Sequence, residues 1–311
     1  MKLKRQFGGI AAAASSAVIA VALLGAAPAF ADAPAIDTLG SVTEATPDTA
    51  NDAAQVPTKE TGTNAIEANV SGADVTVPVE PASGISVGTS AGTVSISLPF
   101  AKDAESATAE TKGVVSYDNN NGSTSVPVVT SNGTLQINTV IEDVTAPSRY
   151  SYNLTIPDGG QIVPAGQGYF IVNANNDPVT FVAEPWAKDA NGAHVATHFE
   201  LNGTTLTQVV EHNAATSYPV VADPAFVWEM GLPAVKLNRS ETKTAMTMTG
   251  MATVCGWVGR LTGYVGGVLC GANAGSIIVN SQRAYYAGKC EELLIGPGVI
   301  GSLAYSGGYC R

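Results

Sequence analysis

The first 254 residues contain no cysteine, and the whole 311-residue chain has only three histidines and three tryptophans. Charged residues make up 13% and aromatics 6%. A cysteine-free body excludes a disulfide framework over most of the length, and the shortage of histidine and the lack of a CxxC pair leave no metal set. No phosphate-cradling loop, nucleotide fingerprint or EF-hand spacing occurs. Neither a cofactor nor a metal site is therefore expected, with calcium on the Asp/Asn-rich turns Asp118–Asn121 or Asn175–Asp177 left open. Basic residues are also scarce, with 15 Lys+Arg against 26 Asp+Glu. That balance argues against nucleic acid as a partner.

The basic residues that exist are unevenly placed. Lys2, Lys4 and Arg5 precede an apolar stretch from Ile10 to Leu24. Ala29-Phe30-Ala31 follows the helix-breaking segment Gly25 to Pro28, so residues 1–31 read as a secretory signal peptide cleaved after Ala31. The apolar run is short for a membrane span, which needs about 20 residues. No LPxTG-like motif and no cysteine near the cleavage site suggest covalent anchoring, so free secretion to the extracellular space is expected. Without the leader, 12 basic residues face 26 acidic ones, a net charge of −14. Residues 32–225 hold five basic and 22 acidic side chains, whereas 226–311 hold seven and four. Such asymmetry is a reason to treat the halves separately.

Residues 32–65 are rich in Ala, Thr, Asp, Glu and Pro and lack aromatics. They are expected as a disordered acidic linker, because little apolar surface is available to offset ordering entropy. From 66 to 224 the pattern is β. Val75, Val77 and Val79 alternate with polar or small residues, as do Val94, Ile96 and Leu98. Turn chemistry separates further runs at Asp118–Gly122, Asn132-Gly133, Asn173–Pro178 and Asn202-Gly203. Regular short strands predict an all-β antiparallel, sandwich-like domain.

The tail reads differently. Asn238-Arg239-Ser240-Glu241 has the form of a capping box, predicting a helix over about 239–257. Gly259–Gly263 supplies a turn, and a second helix is expected over about 264–287, ending at Gly288. The last 20 or so residues read as loop. The predicted architecture is thus multidomain, with a β-rich domain at 66–224 and a disulfide-stapled α-helical hairpin with a cysteine-rich tail at 225–311.

Cys255, Cys270, Cys290 and Cys310 all lie in the last 57 residues. An even number in an exported chain predicts disulfides. Of three possible pairings, Cys255–Cys270 with Cys290–Cys310 is favoured, the first clamping the hairpin across its turn. Gly259, Gly263, Gly267, Gly271 and Gly275 recur every four residues and would share one helix face, suited to close packing or to a membrane. Asn273, Ser276, Asn280 and Arg283 give the same helix a polar stripe.

No catalytic residue is assigned. Gly88-Thr89-Ser90-Ala91-Gly92 matches G-x-S-x-G but lies among short strands, away from any strand-to-helix elbow. His194 and His198 are four apart on a predicted strand, about 13 Å, too far to share an ion. His212 adjoins Glu211 with no nucleophile nearby.

Val182-Ala183-Glu184-Pro185-Trp186-Ala187-Lys188-Asp189-Ala190-Asn191-Gly192 and Tyr218-Pro219-Val220-Val221-Ala222-Asp223-Pro224 resemble a module of secreted actinobacterial proteins. The ending Tyr305-Ser306-Gly307-Gly308-Tyr309-Cys310 resembles the tails of uncharacterised members of that group. The resemblance covers about residues 140–311 and implies a carrier or presentation role, with no activity attached. The reading is a secreted non-enzymatic protein whose acidic β-domain carries a membrane- or envelope-active, bacteriocin-like hairpin. The alternative is an extracellular, envelope-associated binding or structural module with a purely structural hairpin. Either way the expected partner is the cell envelope or a membrane.

Overall fold

The computed structural model describes residues 36–311 apart from 157–158, 166–167, 297–298, 308–309 and 311; the side chains of 257–258, 260–269 and 299 are also outside the description. The residues from Ile36 onward form one compact unit. It opens with helices α1 (Thr38–Ala45) and α2 (Pro47–Asn51). Strands β1 (Asn64–Val70), β2 (Ala73–Pro78), β3 (Ile85–Thr89), β4 (Gly92–Ser97), β5 (Thr108–Thr111) and β6 (Val114–Asp118) follow. Next come β7 (Ser123–Val129), β8 (Thr134–Ile141), β9 (Arg149–Thr155), β10 (Gln161–Ala165), β11 (Gly168–Val172) and β12 (Pro178–Val182). After them run β13 (Ala187–Lys188), β14 (Thr197–Asn202), β15 (Thr205–Val210), β16 (Val220–Ala222), β17 (Ala225–Glu229) and β18 (Leu232–Lys236). The chain ends with α3 (Arg239–Ala245), α4 (Met248–Tyr286), β19 (Cys290–Gly296) and β20 (Val299–Tyr305).

All the strand pairings are antiparallel. One sheet has the order β1-β2-β3-β4-β9-β15-β14. The other runs β10-β11-β12-β17-β8-β7-β6-β5, with β13 and β16 joined beside β8 and β18, β19 and β20 continuing from β17. Val75, Val87 and Ile96 of the first sheet share one buried cluster with Tyr117, Ile137 and Phe226 of the second. The sandwich-like packing follows from the alternation: in β2, Ala73, Val75 and Val77 are buried while Asp74 is exposed. The turns behave as their residues dictate. Asn202 pairs with Thr205, so Gly203 takes the first central position at φ +61°, where a type II′ hairpin demands glycine.

Several expectations need correction. Residues 36–63 are not a disordered linker. Strand β8 is buried along almost its whole length because both its faces are covered. Val126, Val128, Val140 and Val221 form an apolar patch on the outer side, and Val42 of α1, fully buried, closes it together with Ile36 and Leu39. A few aliphatics suffice there because the sheet supplies the rest of the surface. Asp37 caps α1 by accepting from the Gly40 N–H at 2.8 Å.

The boundary at 224/225 is likewise not a structural division. Strand β17 inserts between β12 and β8, pairing Phe226 with both Val182 and Leu135. Much of the stretch expected as terminal loop is a strand pair, because β19 and β20 pair through seven registered residues. The capping box at Asn238 and Glu241 is present, with reciprocal bonds of 2.8 Å. The first helix ends early, at Ala245, and Thr247 caps α4 instead. Glycine is required at 250, since a Cβ there would lie 2.1 Å from the Thr244 carbonyl oxygen.

Segment α4 doubles back. Fifteen residues of straight helix would rise about 22 Å, yet the Cα atoms of Cys255 and Cys270 are 5.2 Å apart. Gln282 near the end of α4 accordingly donates to the Met246 carbonyl just before its start. Cys270, Ala274, Ile277, Ser281 and Ala284 form its buried stripe at helical spacing. Together with Met251 and Val254 this packs onto Phe170 and Phe181 of β11 and β12.

Adjacent glutamates on β19 obscure that strand in the sequence, because both are buried. They point to opposite faces. Glu291 lies under α4, where Ser302 hydrogen-bonds its Oε1 and Oε2 has no partner. Burial pushes its carboxyl from 4.5 up to about 7. Folding therefore takes up a proton between those values: stability is undiminished below pH 4.5, falls as the pH rises towards 7, and stays reduced above it. Glu291→Gln should raise stability at pH 8 by about 3 kcal/mol, converting the shift at 1.36 kcal/mol per pH unit, and should flatten the slope. Urea denaturation of both proteins from pH 4 to 8 checks it.

Candidate binding cavity

A cavity of about 410 Å³ opens beside β8, within the range of about 300–1,000 Å³ usual for small-ligand sites. Its floor begins with the β8 side chains Thr134 and Gln136, which share a face because they are two residues apart. Ala225 and Val227 of the neighbouring β17 continue it. One wall is the segment Glu184–Lys188, held against the buried carboxylate of Asp223, 1% exposed. Asp223 Oδ1 accepts from the Trp186 N–H at 3.0 Å, and the Asp223 N–H returns a bond to the Trp186 carbonyl at 3.3 Å. Gln208 adds a third bond by donating to that carbonyl at 3.2 Å. The backbone at Trp186 is thereby fixed on both sides while its ring is half-buried.

The opposite walls come from both ends of the chain. Thr46, Asp48, Thr49 and Asp52 arrive with α2, and Tyr305, Ser306 and Gly307 follow β20. Asp52 accepts from Asn132 Nδ2 at 2.9 Å, and its carbonyl accepts the Ser131 N–H at 2.8 Å, tying the α2 wall to the β7–β8 turn. Tyr305 donates to the Leu237 carbonyl at 2.8 Å. The Cys290–Cys310 bridge holds the segment after Tyr305.

Each aromatic ring of the cavity carries an ammonium. Lys188 Nζ lies 5.5 Å from the centre of the Trp186 ring and donates to the Ala45 carbonyl at 2.7 Å. Lys236 Nζ lies 5.7 Å from the Tyr305 ring and donates to Thr134 Oγ1 at 3.4 Å. Such contacts orient long side chains. Beneath Lys236, burial pushes the Glu292 carboxyl up, and the lysine pulls it partly back. The result is two aromatic platforms set among hydroxyls, amides and charges of both signs. That arrangement suits recognition of a polar, hydrogen-bonding ligand.

The residues singled out in the sequence are only partly brought together. Cys255 pairs with Cys270 and Cys290 with Cys310, with no free cysteine among the described residues. Gly271 and Gly275 lie on the exposed side of α4, where an added Cβ would meet nothing within 4 Å. Gly259 is half-buried, and the surroundings of Gly263 and Gly267 fall outside the described residues. Ser90 sits at the tip of the β3–β4 hairpin, between the paired Thr89 and Gly92. His194 bridges to Lys188 and lines the cavity. His198 stands on β14, exposed, 3.8 Å from both Glu200 and Glu211. His212 bonds the Tyr218 hydroxyl at 2.8 Å and the Pro147 carbonyl at 3.1 Å. Among the described residues no group of three metal-ligating side chains occurs, and no helix is long and apolar enough to cross a membrane.

What the sequence did not indicate is the contribution of α2, β8 and Lys236. Parts of the three stretches singled out in the sequence, Glu184–Lys188, Asp223 and Tyr305–Gly307, border the same cavity. The fold and site thus define an antiparallel β protein with two C-terminal disulfides, its residues from Ile36 onward forming one compact unit. Comparison with family models, curated proteins and solved structures gives no match.

Proposed function

We propose that this chain is an extracellular, non-enzymatic binding module of the cell envelope, and that its ligand sits in the cavity between Trp186 and Tyr305. One observation carries the reading: three stretches far apart in sequence, each resembling a recurrent motif of secreted actinobacterial proteins, converge there. The two disulfides support an oxidising compartment, and the leader-like residues 1–31 support export. The continuity of β17, β18 and β19 favours a structural role for the helical tail over a released peptide. Incubating the oxidised full-length protein with an insoluble envelope fraction, washing and eluting tests it. Retention of the protein is expected; if all of it remains in the wash, the reading fails.

A second reading rests on a different surface. The outward side of α4 exposes Gly271, Gly275 and Val279 without charge, which suits contact with a membrane and would make the tail membrane-active. Leakage of anionic vesicles at micromolar protein would support it, and intact vesicles would remove it.

A further inference from the structure

Sheet edges expose unpaired N–H and C=O groups, and proteins ordinarily blunt them with charge, proline or shortness. Four of the described edges here follow that rule. Edge β1 carries an exposed Glu67, and β5 has four residues including Glu110. Edge β10 contains Pro164, and β14 carries His198 and Glu200. The two-residue β13 is too short to matter.

Strand β20 is different. Among the described residues it pairs with β19 alone; it runs for seven residues, Val299–Tyr305, and has neither charge nor proline. Leu303 is 41% exposed, and Ala304 is exposed beside it. Above this edge lies α4. Asn280 donates to Ser302 Oγ at 3.1 Å, which places its side of the helix over β20. Asn273, Ser276 and Arg283 fall on that side at helical spacing and are exposed. The open strand therefore has a polar ledge over it.

We propose that the β20 edge is a self-association surface, and that its occupant is β20 of a second copy of this chain, antiparallel about a two-fold axis at Ser302. A two-fold contact must be self-complementary. An uncharged strand meets itself without repulsion, Gly301 would oppose Leu303 of the second copy, and the Asn and Ser side chains of each ledge can both donate and accept. Arg283 of one copy would face the Asn273 end of the other ledge, so the cations stay apart. The charge distribution selects the same surface. Residues 226–311 carry a net +3, against −17 for residues 32–225, so a contact made through the C-terminal residues meets less like charge than one made through the rest. A seven-residue ladder with its ledge is smaller than the roughly 1,600 Å² of a standard interface, which makes the dimer concentration-dependent.

Sedimentation equilibrium of the oxidised full-length protein, from low micromolar to several hundred micromolar, tests this. The expected result is a mass that rises from one to two chains. Leu303→Lys and Ala304→Lys, each placing a charge on the edge, should shift the dimer constant at least tenfold towards monomer while leaving the thermal melt unchanged. If Leu303→Lys disturbs folding, Ala304→Lys alone decides. A wild type that stays monomeric throughout, or a folded variant that dimerises as well as wild type, overturns the proposal. Envelope retention by the variants should be unchanged, which separates this surface from the cavity.

Discussion

Replacing Trp228 with alanine should destabilise the protein by about 3–5 kcal/mol, the range for deleting a large buried aromatic. The residue is fully buried on β17. Its indole N–H donates to the Val70 carbonyl at 2.9 Å, reaching from the second sheet to the first. Its own N–H donates to the Gly133 carbonyl at 2.8 Å. The same corner is closed by Ser71, whose hydroxyl donates to Glu229 at 2.9 Å and whose carbonyl accepts the Gly231 N–H at 2.7 Å. Alanine would leave a void between the sheets and remove the indole's bond to the Val70 carbonyl, and the costs combine. Trp228→Phe should fall between the two, keeping most of the packing while losing the bond. Urea denaturation monitored by circular dichroism gives the values. A loss below 1 kcal/mol for the alanine variant would mean that β17 is peripheral to the body.

Trp186→Ala should reduce retention on envelope material at least tenfold while changing the melting temperature little. The ring is half-buried, and the bonds that fix its position are made by its backbone to Asp223 and Gln208, so alanine keeps them. What is removed is one aromatic platform and the seat of the Lys188 ammonium. Aromatic anchors in the centre of a site commonly carry 2 kcal/mol or more of binding. A control at Val144, exposed and outside the cavity lining, should bind as wild type when changed to Thr. Equal loss in both variants would point to a general effect on solubility rather than to this cavity.

Much of the β-sheet was legible because its strands have one polar face. Val75 and Val77 alternate, and Asn202-Gly203 marks its hairpin within one residue of the observed turn. The capping box at Asn238 and both cysteine pairs were legible for similarly local reasons. Strand β17 was not, because a central strand buried on both faces, Ala-Phe-Val-Trp, has no alternation, and the prolines around it read as an exit. Nor was β19, whose Glu291 and Glu292 look like a solvated pair until the covering α4 and the neighbouring β18 are placed. Helix α1 is stable only because β8 offers it an apolar face, a fact that no window of its own sequence contains. The three stretches singled out in the sequence supply part of the cavity but did not mark one place, since Gln136 and Lys236 join it through sheet order and Asp48 through the docking of α2.

The central claim is that the ligand sits in the motif-lined cavity. Hydrogen exchange of the full-length protein, with and without a soluble digest of envelope material, tests it most directly. The account predicts new protection in the peptides covering 46–52, 184–188 and 305–307, with exchange in 271–286 of α4 unchanged. Protection confined to α4, with those three segments unaffected, would contradict it.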